Sequence, residues 1–336
     1  MTGTMVRSLI AIPRSLALWF VWIPGRRLAR FLPYRVLMTA ALIGARIFWV
    51  VAAGTRRKIK TDLAEAYGRY FSAAEVASIS RRSLEQFAMR HAENLIFGRL
   101  TAESTRKLVT IEGREHLDAA LAKNRGVIIQ LAHFGSFLMV LPALGYSGYR
   151  INQLVGQPEL EGRGWINRHI FRIRVREHGA LPVRFMHVDR SLKPVIKALK
   201  NNELVAMALD GRDGKEWVRV NLLGRTANLS PGSIRLALLT GAVVLPTFAV
   251  RGPDGLHRVI IERPFELEEL ETREETVAKN LQRLTDLFET YILKHPCHFG
   301  MMIHLIQNRA KKGVFGMPLF SDENDGGAAE TGENEL

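Results

Sequence analysis

A histidine that follows an apolar run and precedes a glycine is the first place in this sequence where side chains could do chemistry. Gly126–Ala132 (GVIIQLA) is apolar enough for a buried strand, and His133-Phe134-Gly135-Ser136 follows directly. The glycine permits a close turn, and Ser136–Leu144 reads as a helix. The imidazole would then stand beside the N–H groups of a helix start, which favour an anion or a developing oxyanion. An imidazole so placed can take a proton from a hydroxyl. The residues alone equally allow a packed histidine in a strand–helix turn. Asp210 and Asp213, in Asp210-Gly-Arg-Asp213-Gly, follow the apolar run Leu204–Leu209. They either supply a carboxylate or form a solvated turn rich in Asp and Gly. Arg225, behind Gly224, and more weakly Arg150 and Arg235, offer forked donors suited to phosphate or carboxylate.

These residues need a scaffold. Short apolar runs alternate with helical stretches from residue 108 onward: strands at Gly126–Ala132, Leu204–Leu209 and Val243–Val250, and a helix at Ile234–Thr240. Buried strands separated by helices predict an α/β fold with a mostly parallel central sheet flanked by helices. Chemistry in such folds gathers at the carboxyl edge of the sheet, where His133 and Asp210 would both emerge. Upstream, residues 58–100 read as two helices, the second from about Ala73 to Phe97 with Ser72 as its cap, because Glu75 stands three positions later. Ser230-Pro-Gly-Ser233 reads as another capped start.

At 336 residues the chain can bury a sizeable core. One cysteine, Cys297, excludes an internal disulfide. His295-Pro-Cys297-His298 does not match zinc-ligand spacing, and a structural role is expected for it, with no metal and no cofactor. The net charge of +14 implies an anionic partner, and it is uneven: residues 1–100 hold sixteen Lys/Arg against five acids, Asp62, Glu65, Glu75, Glu85 and Glu93. The bases alternate with apolar runs carrying Trp19, Trp22 and Trp49, a pattern that suits a membrane surface. No separate basic stripe exists, so no nucleic-acid partner is expected. Spanning, interfacial and buried arrangements of the segment over residues 1–60 all remain open. If it spans, the basic flank at 56–60 directs the rest of the chain to the cytoplasm. An α/β domain over 61–317 and a disordered acidic tail over 318–336 complete the expected organisation.

Several ordered stretches resemble the lipid A late-acyltransferase family, within the lysophospholipid acyltransferase group. NRGVIIQLAHFGSF is similar to its strand followed by His-x-Gly-Asn-Trp-Glu. Residues 33–64 resemble its amphipathic segment ending in a basic cluster, and ALKNNELVAMALD its helix, strand and acidic turn. LLGRTANLSPGSIRLALLTGAVVLPTFAVR, residues 222–251, resembles its Phe-Gly-Arg motif, helix and proline-bearing strand. Together these cover roughly residues 15–310.

The resemblance implies an acyltransferase in which a histidine deprotonates an acceptor hydroxyl that then attacks an acyl thioester. His133 is the implied base. The pair Gly224-Arg225 is the implied acceptor contact, with acyl carrier protein or acyl-CoA as donor and a membrane lipid as acceptor; Gly135, Ser136, Arg150 and Asp213 are further candidate substrate contacts from their own residue types. The implied location is the cytoplasmic side of the inner membrane. The chain departs from the family at one decisive place. The acid five residues after the histidine is Leu138 here, which can neither orient an imidazole nor stabilise its charged form. Asp210 is the preferred substitute. Without one, a catalytically degenerate relative that binds lipid or acyl carrier is the alternative.

Overall fold

The computed structural model describes residues 19–156, 165–187, 191–212, 214, 216–310 and 317–321. A π-helical turn (Val21–Gly25) and one short helical turn (Arg26–Ala29) lead into three longer helices: α1 (Tyr34–Val51), α2 (Ala53–Tyr67) and α3 (Ala73–Asn94). Ser72 and Glu75 close the start of α3 reciprocally, Glu75 accepting the Ser72 N–H at 2.8 Å while the Ser72 hydroxyl accepts from Glu75. The expected cap is therefore present. At the other end of α1, Arg56 donates to the carbonyls of Trp49 and Val50 at 2.7 and 3.1 Å. Its charge satisfies acceptors that a helix end leaves open.

After the short helix α4 (Ala102–Leu108), strands and helices alternate: β1 (Val109–Glu112), α5 (Arg114–Ala122), β2 (Val127–Leu131), α6 (Val140–Tyr146), β3 (Ile151–Val155), α7 (Trp165–His178), β4 (Val183–His187), α8 (Lys193–Lys200) and β5 (Leu204–Ala208). A hairpin of β6 (Val218–Leu222) and β7 (Arg225–Leu229) interrupts. Then come α9 (Gly232–Thr240), β8 (Val243–Arg251), β9 (His257–Ile261), α10 (Arg273–Lys294) and α11 (Gly300–Ala310). The seven-stranded sheet has the order β1-β9-β8-β2-β5-β3-β4, and β8–β9 is its antiparallel pair. The fold is α/β, as the alternation predicts.

Register decides where the chemistry lies. β2 and β5 are parallel neighbours, with Leu131 opposite Ala208. His133 and Asp210 each lie two residues beyond that pair, so both chains leave the sheet side by side. All five residues of β2 are buried, which fixes the strand against slippage.

Two expected boundaries run through packed structure. The division at residue 60 falls inside α2, whose Ile59 and Leu63 are fully buried in the same core cluster as β6, β7 and α10. Within the stretch expected to form the tail from Pro318, Leu319 and Phe320 are buried, and Phe320 bridges to Ala227 of β7. Residues 322–336 lie outside the described residues. The helix at Ser136–Leu144 resolves into a single 3₁₀ turn, Phe137–Met139, followed by α6. The cap expected at Ser230 is instead Pro231 at the start of α9, with no side-chain hydrogen bond.

α1 lies along α3, burying Leu37, Met38 and Ala45. Its other side leaves Val36, Ile43, Ile47, Phe48, Val50 and Val51 exposed. Arg46, the charge that breaks the apolar run, pairs with Glu85 of α3 at 3.1 Å. It is thus neutralised on the protein side.

Candidate active site

His133 stands at the carboxyl edge with its side chain one-third exposed. Its Nδ1 lies 3.0 Å from Asp210 Oδ1, and the same oxygen accepts the His133 backbone N–H at 2.9 Å. The Asp210 side chain is wholly buried. Burial alone would raise its pKa, but the attraction of His133 and the two hydrogen bonds outweigh that and hold the carboxyl below its usual range. An ionised carboxylate facing Nδ1 keeps the proton on that nitrogen, so Nε2 presents its lone pair outward. That is the arrangement a general base needs. Phe137 sets its ring edge-on to the imidazole, with centroids 4.8 Å apart.

The turn that carries His133 is fastened from several sides. Gly135 has φ +55°, and its N–H donates to the His298 carbonyl at 3.0 Å. A Cβ at this position would come within 2.0 Å of the Ala249 carbonyl oxygen, so only glycine fits without displacement. Ser136 is buried. Its hydroxyl accepts from Arg251 at 2.9 Å and donates to Glu93 at 3.2 Å. Gly135 and Ser136, expected to touch substrate, are thus packed into the protein and hold the loop in place. Leu138 turns into the apolar cluster of β2, α6 and β9, which explains how it replaces a polar residue without leaving a buried charge.

Behind the loop lies a cluster that the sequence did not single out. Glu93 of α3 and Arg251 of β8 form a 2.7 Å ion pair with both side chains 2% exposed. His257 Nε2 is 2.8 Å from the same carboxylate, and Tyr34 of α1 donates to it at 2.7 Å. Burial opposes ionisation of Glu93, but Arg251 and His257 more than compensate, and its pKa is strongly lowered. Arg90, one turn earlier on α3, reaches toward the His133 carbonyl, with Nη1 3.5 Å away. Arg212 lies near enough to Asp210 to attract its charge, donates to the Asn228 carbonyl at 2.8 Å and covers the Trp217 ring. The i, i+3 spacing of Arg90 and Glu93 resembles any polar helix face, so only the tertiary fold reveals them. Arg251 closes the motif stretch quoted above and could have been read from it.

The remaining expected residues lie elsewhere. Arg150 precedes β3, and its carbonyl accepts from Leu204 at the start of β5. This is the amino edge of the sheet, opposite His133. Leu223 (φ +55°) and Gly224 (φ +66°) form the two-residue turn of the β6–β7 hairpin, and Arg69 donates to the Gly224 carbonyl at 2.7 Å. Arg225 covers the Phe320 ring at 4.6 Å and reaches Glu65 at 3.9 Å. Arg235 pairs with Glu216 at 2.6 Å. Asp213 lies outside the described residues. His298 Nε2 accepts the Arg251 N–H at 3.1 Å and its ring stacks on Phe134, so His298 buttresses the turn that carries His133. Among the described residues, no group of three His, Cys, Asp or Glu converges as a metal site.

Comparison with known proteins gives the chain a family. The chain is 25% identical over 301 residues to a phosphatidylinositol mannoside acyltransferase of Mycobacterium tuberculosis (strain CDC 1551 / Oshkosh), a match spanning 87% of this chain and 89% of that protein. The counterpart in strain ATCC 25618 / H37Rv matches to the same extent. A family model described as bacterial lipid A biosynthesis acyltransferase matches residues 6–311, nearly the whole chain, and the protein therefore belongs to that acyltransferase family.

Proposed function

We propose that this acyltransferase moves a fatty acyl chain from a thioester carrier, acyl carrier protein or acyl-CoA, to a hydroxyl of a lipid or glycolipid acceptor, with His133 as general base and Asp210 as its orienting acid. The contact between His133 Nδ1 and Asp210 Oδ1 carries this reading. It supplies the carboxylate that Leu138 lacks, and it weighs against a degenerate relative that only binds. The acceptor O–H gives its proton to Nε2 as the oxygen attacks the thioester carbonyl. The imidazolium, steadied by Asp210, then protonates the departing thiolate. The relative named for a phosphatidylinositol mannoside supports a glycolipid acceptor.

The reaction takes place at the cytoplasmic face of the inner membrane. α1 is 18 residues long and, among the described residues, apolar enough to cross a bilayer, but it lies along α3 with one apolar side outward. That favours a helix seated in the interface over one that spans. The basic surface suits an acidic carrier or anionic headgroups. The deciding experiment is acyl transfer by wild type and His133→Ala, using labelled acyl carrier protein, acyl-CoA and a panel of membrane-lipid acceptors. Transfer by the wild type and none by the variant is expected; undiminished transfer by His133→Ala refutes the assigned base.

A further inference from the structure

The reaction proposed above creates negative charge on the thioester carbonyl oxygen, and a donor must meet it. The N–H groups of His133 and Gly135 are already committed, to Asp210 and to the His298 carbonyl. Of the cations near the loop, Arg251 is held by Glu93 and Arg212 by the Asn228 carbonyl and the Trp217 ring, which leaves Arg90. Its guanidinium carbon is 5.7 Å from the centre of the Phe137 ring, which itself stands against His133. Its polar contacts are weak: the His133 carbonyl at 3.5 Å and the Met302 sulfur at 3.7 Å. The carboxylates that attract it from a distance, Asp210 and Glu93, are each bound elsewhere, to His133 and to Arg251. A half-buried guanidinium with no close carboxylate among the described residues is costly unless something else uses it. Burial brings its pKa down to about 10, with Asp210 and Glu93 opposing, so it stays charged at neutral pH.

We infer that Arg90 is a third catalytic residue, whose guanidinium N–H groups stabilise the oxyanion formed on the acyl thioester carbonyl. The inference rests on the proposed function. As the acceptor oxygen bonds to the carbonyl carbon, the π pair moves onto the carbonyl oxygen beside Arg90 while the hydroxyl proton moves to His133. Collapse re-forms C=O, breaks C–S, and returns the proton to sulfur. The charge-assisted bond to Arg90 strengthens only while the oxygen is negative, which is how such a donor lowers a barrier.

The test compares wild type, Arg90→Gln and Arg90→Lys, each with an acyl thioester and with the matching dithioester, whose sulfur accepts hydrogen bonds poorly. Removal of one oxyanion donor lowers kcat by about 10²–10³-fold. That loss is expected in Arg90→Gln with KM for the donor within threefold of wild type, and Arg90→Lys should fall between the two. The wild type should turn over the dithioester at least tenfold more slowly than the thioester, and Arg90→Gln should lose that preference. A merely structural arginine would leave the preference intact. Should Arg90→Gln not fold, Arg90→Lys carries the same comparison, and a wild type without dithioester discrimination overturns the inference by itself. Active wild type with an equally active Arg90→Gln also overturns it and leaves the proposed function standing. Wild type inactive on every thioester refutes that function, and the role of Arg90 with it.

Discussion

Asp210 grips His133 through one oxygen, Oδ1 accepting both the backbone N–H at 2.9 Å and Nδ1 at 3.0 Å across 77 residues of chain. The carboxylate therefore sets the position of the residue and the tautomer of its ring together. Asp210→Asn can keep the first bond while offering the ring a donor or a weaker acceptor. By analogy with the serine-protease triad, kcat should fall about 10³–10⁴-fold with KM little changed. Activity within tenfold of wild type would remove Asp210 from the mechanism.

Acid should weaken the fold through histidines held neutral. Burial, followed by the positive charges of His295 and Arg251, pushes His298 down to about 3, and burial pushes His178 to about 4. Both folded values lie below the unfolded value near 6.5, so the unfolded chain binds more protons between them. The stabilisation is complete above about pH 6.5 and drains away as pH falls toward 4 and then 3. The urea midpoint should drop between pH 7 and pH 4.5. His298→Gln, which can still accept the Arg251 N–H but cannot be protonated, should show a shallower drop. An unchanged midpoint over that range would contradict this account.

Glu93→Gln should be severe despite its conservative size. It leaves Arg251, 2% exposed, without its counter-charge. Breaking a buried ion pair from one side costs about 3–5 kcal/mol. Chemical denaturation measures this directly, and a loss below about 1 kcal/mol would mean that the cluster is not an ionised pair.

Gly135→Ala should damage activity and stability together. The added Cβ would meet the Ala249 carbonyl at 2.0 Å and the His298 ring at 2.8 Å, on a backbone at φ +55°. The turn must shift, and His133 shifts with it. A variant crystal structure with the His133–Asp210 distance unchanged and full turnover would show the turn to be more compliant than its packing suggests.

If the outer side of α1 meets the bilayer, Ile47→Glu and Val51→Glu should weaken vesicle binding by about tenfold or more each, since each removes a favourable burial of about 1.5–3 kcal/mol. Both side chains are more than half exposed, so the fold should hold. Co-sedimentation with anionic vesicles reads the change. Equal binding by wild type and both variants would place the membrane contact elsewhere.

Much of this site is legible in sequence because strands announce their ends. GVIIQLA and LVAMAL are apolar throughout, and a histidine and an aspartate follow them. That the two strands are neighbours with Leu131 opposite Ala208 is a long-range pairing, visible only in the fold. Arg150 shows the converse: it looks as suited to phosphate as any arginine, but it stands where a strand begins and so at the wrong edge. Ser136 is a candidate substrate contact in the sequence, whereas in the fold Arg251 and Glu93 arrive from distant elements and bury it. Arg90 and Glu93 were hidden for the same reason. On a helix, polar residues three apart usually face water, and only packing against β8 and the His133 turn brings these inward.

The parallel register of β2 and β5 has a further consequence, for inheritance. What such a site must preserve is an address on the rim of the sheet, and a strand beside β2 can deliver a carboxylate to it. Mutational drift can then erase the acid in the loop, letting Leu138 join the core, while the imidazole keeps a partner from next door. A census that counts residues forward from the histidine would discard such chains as dead, whereas one that follows strand neighbours would retain them.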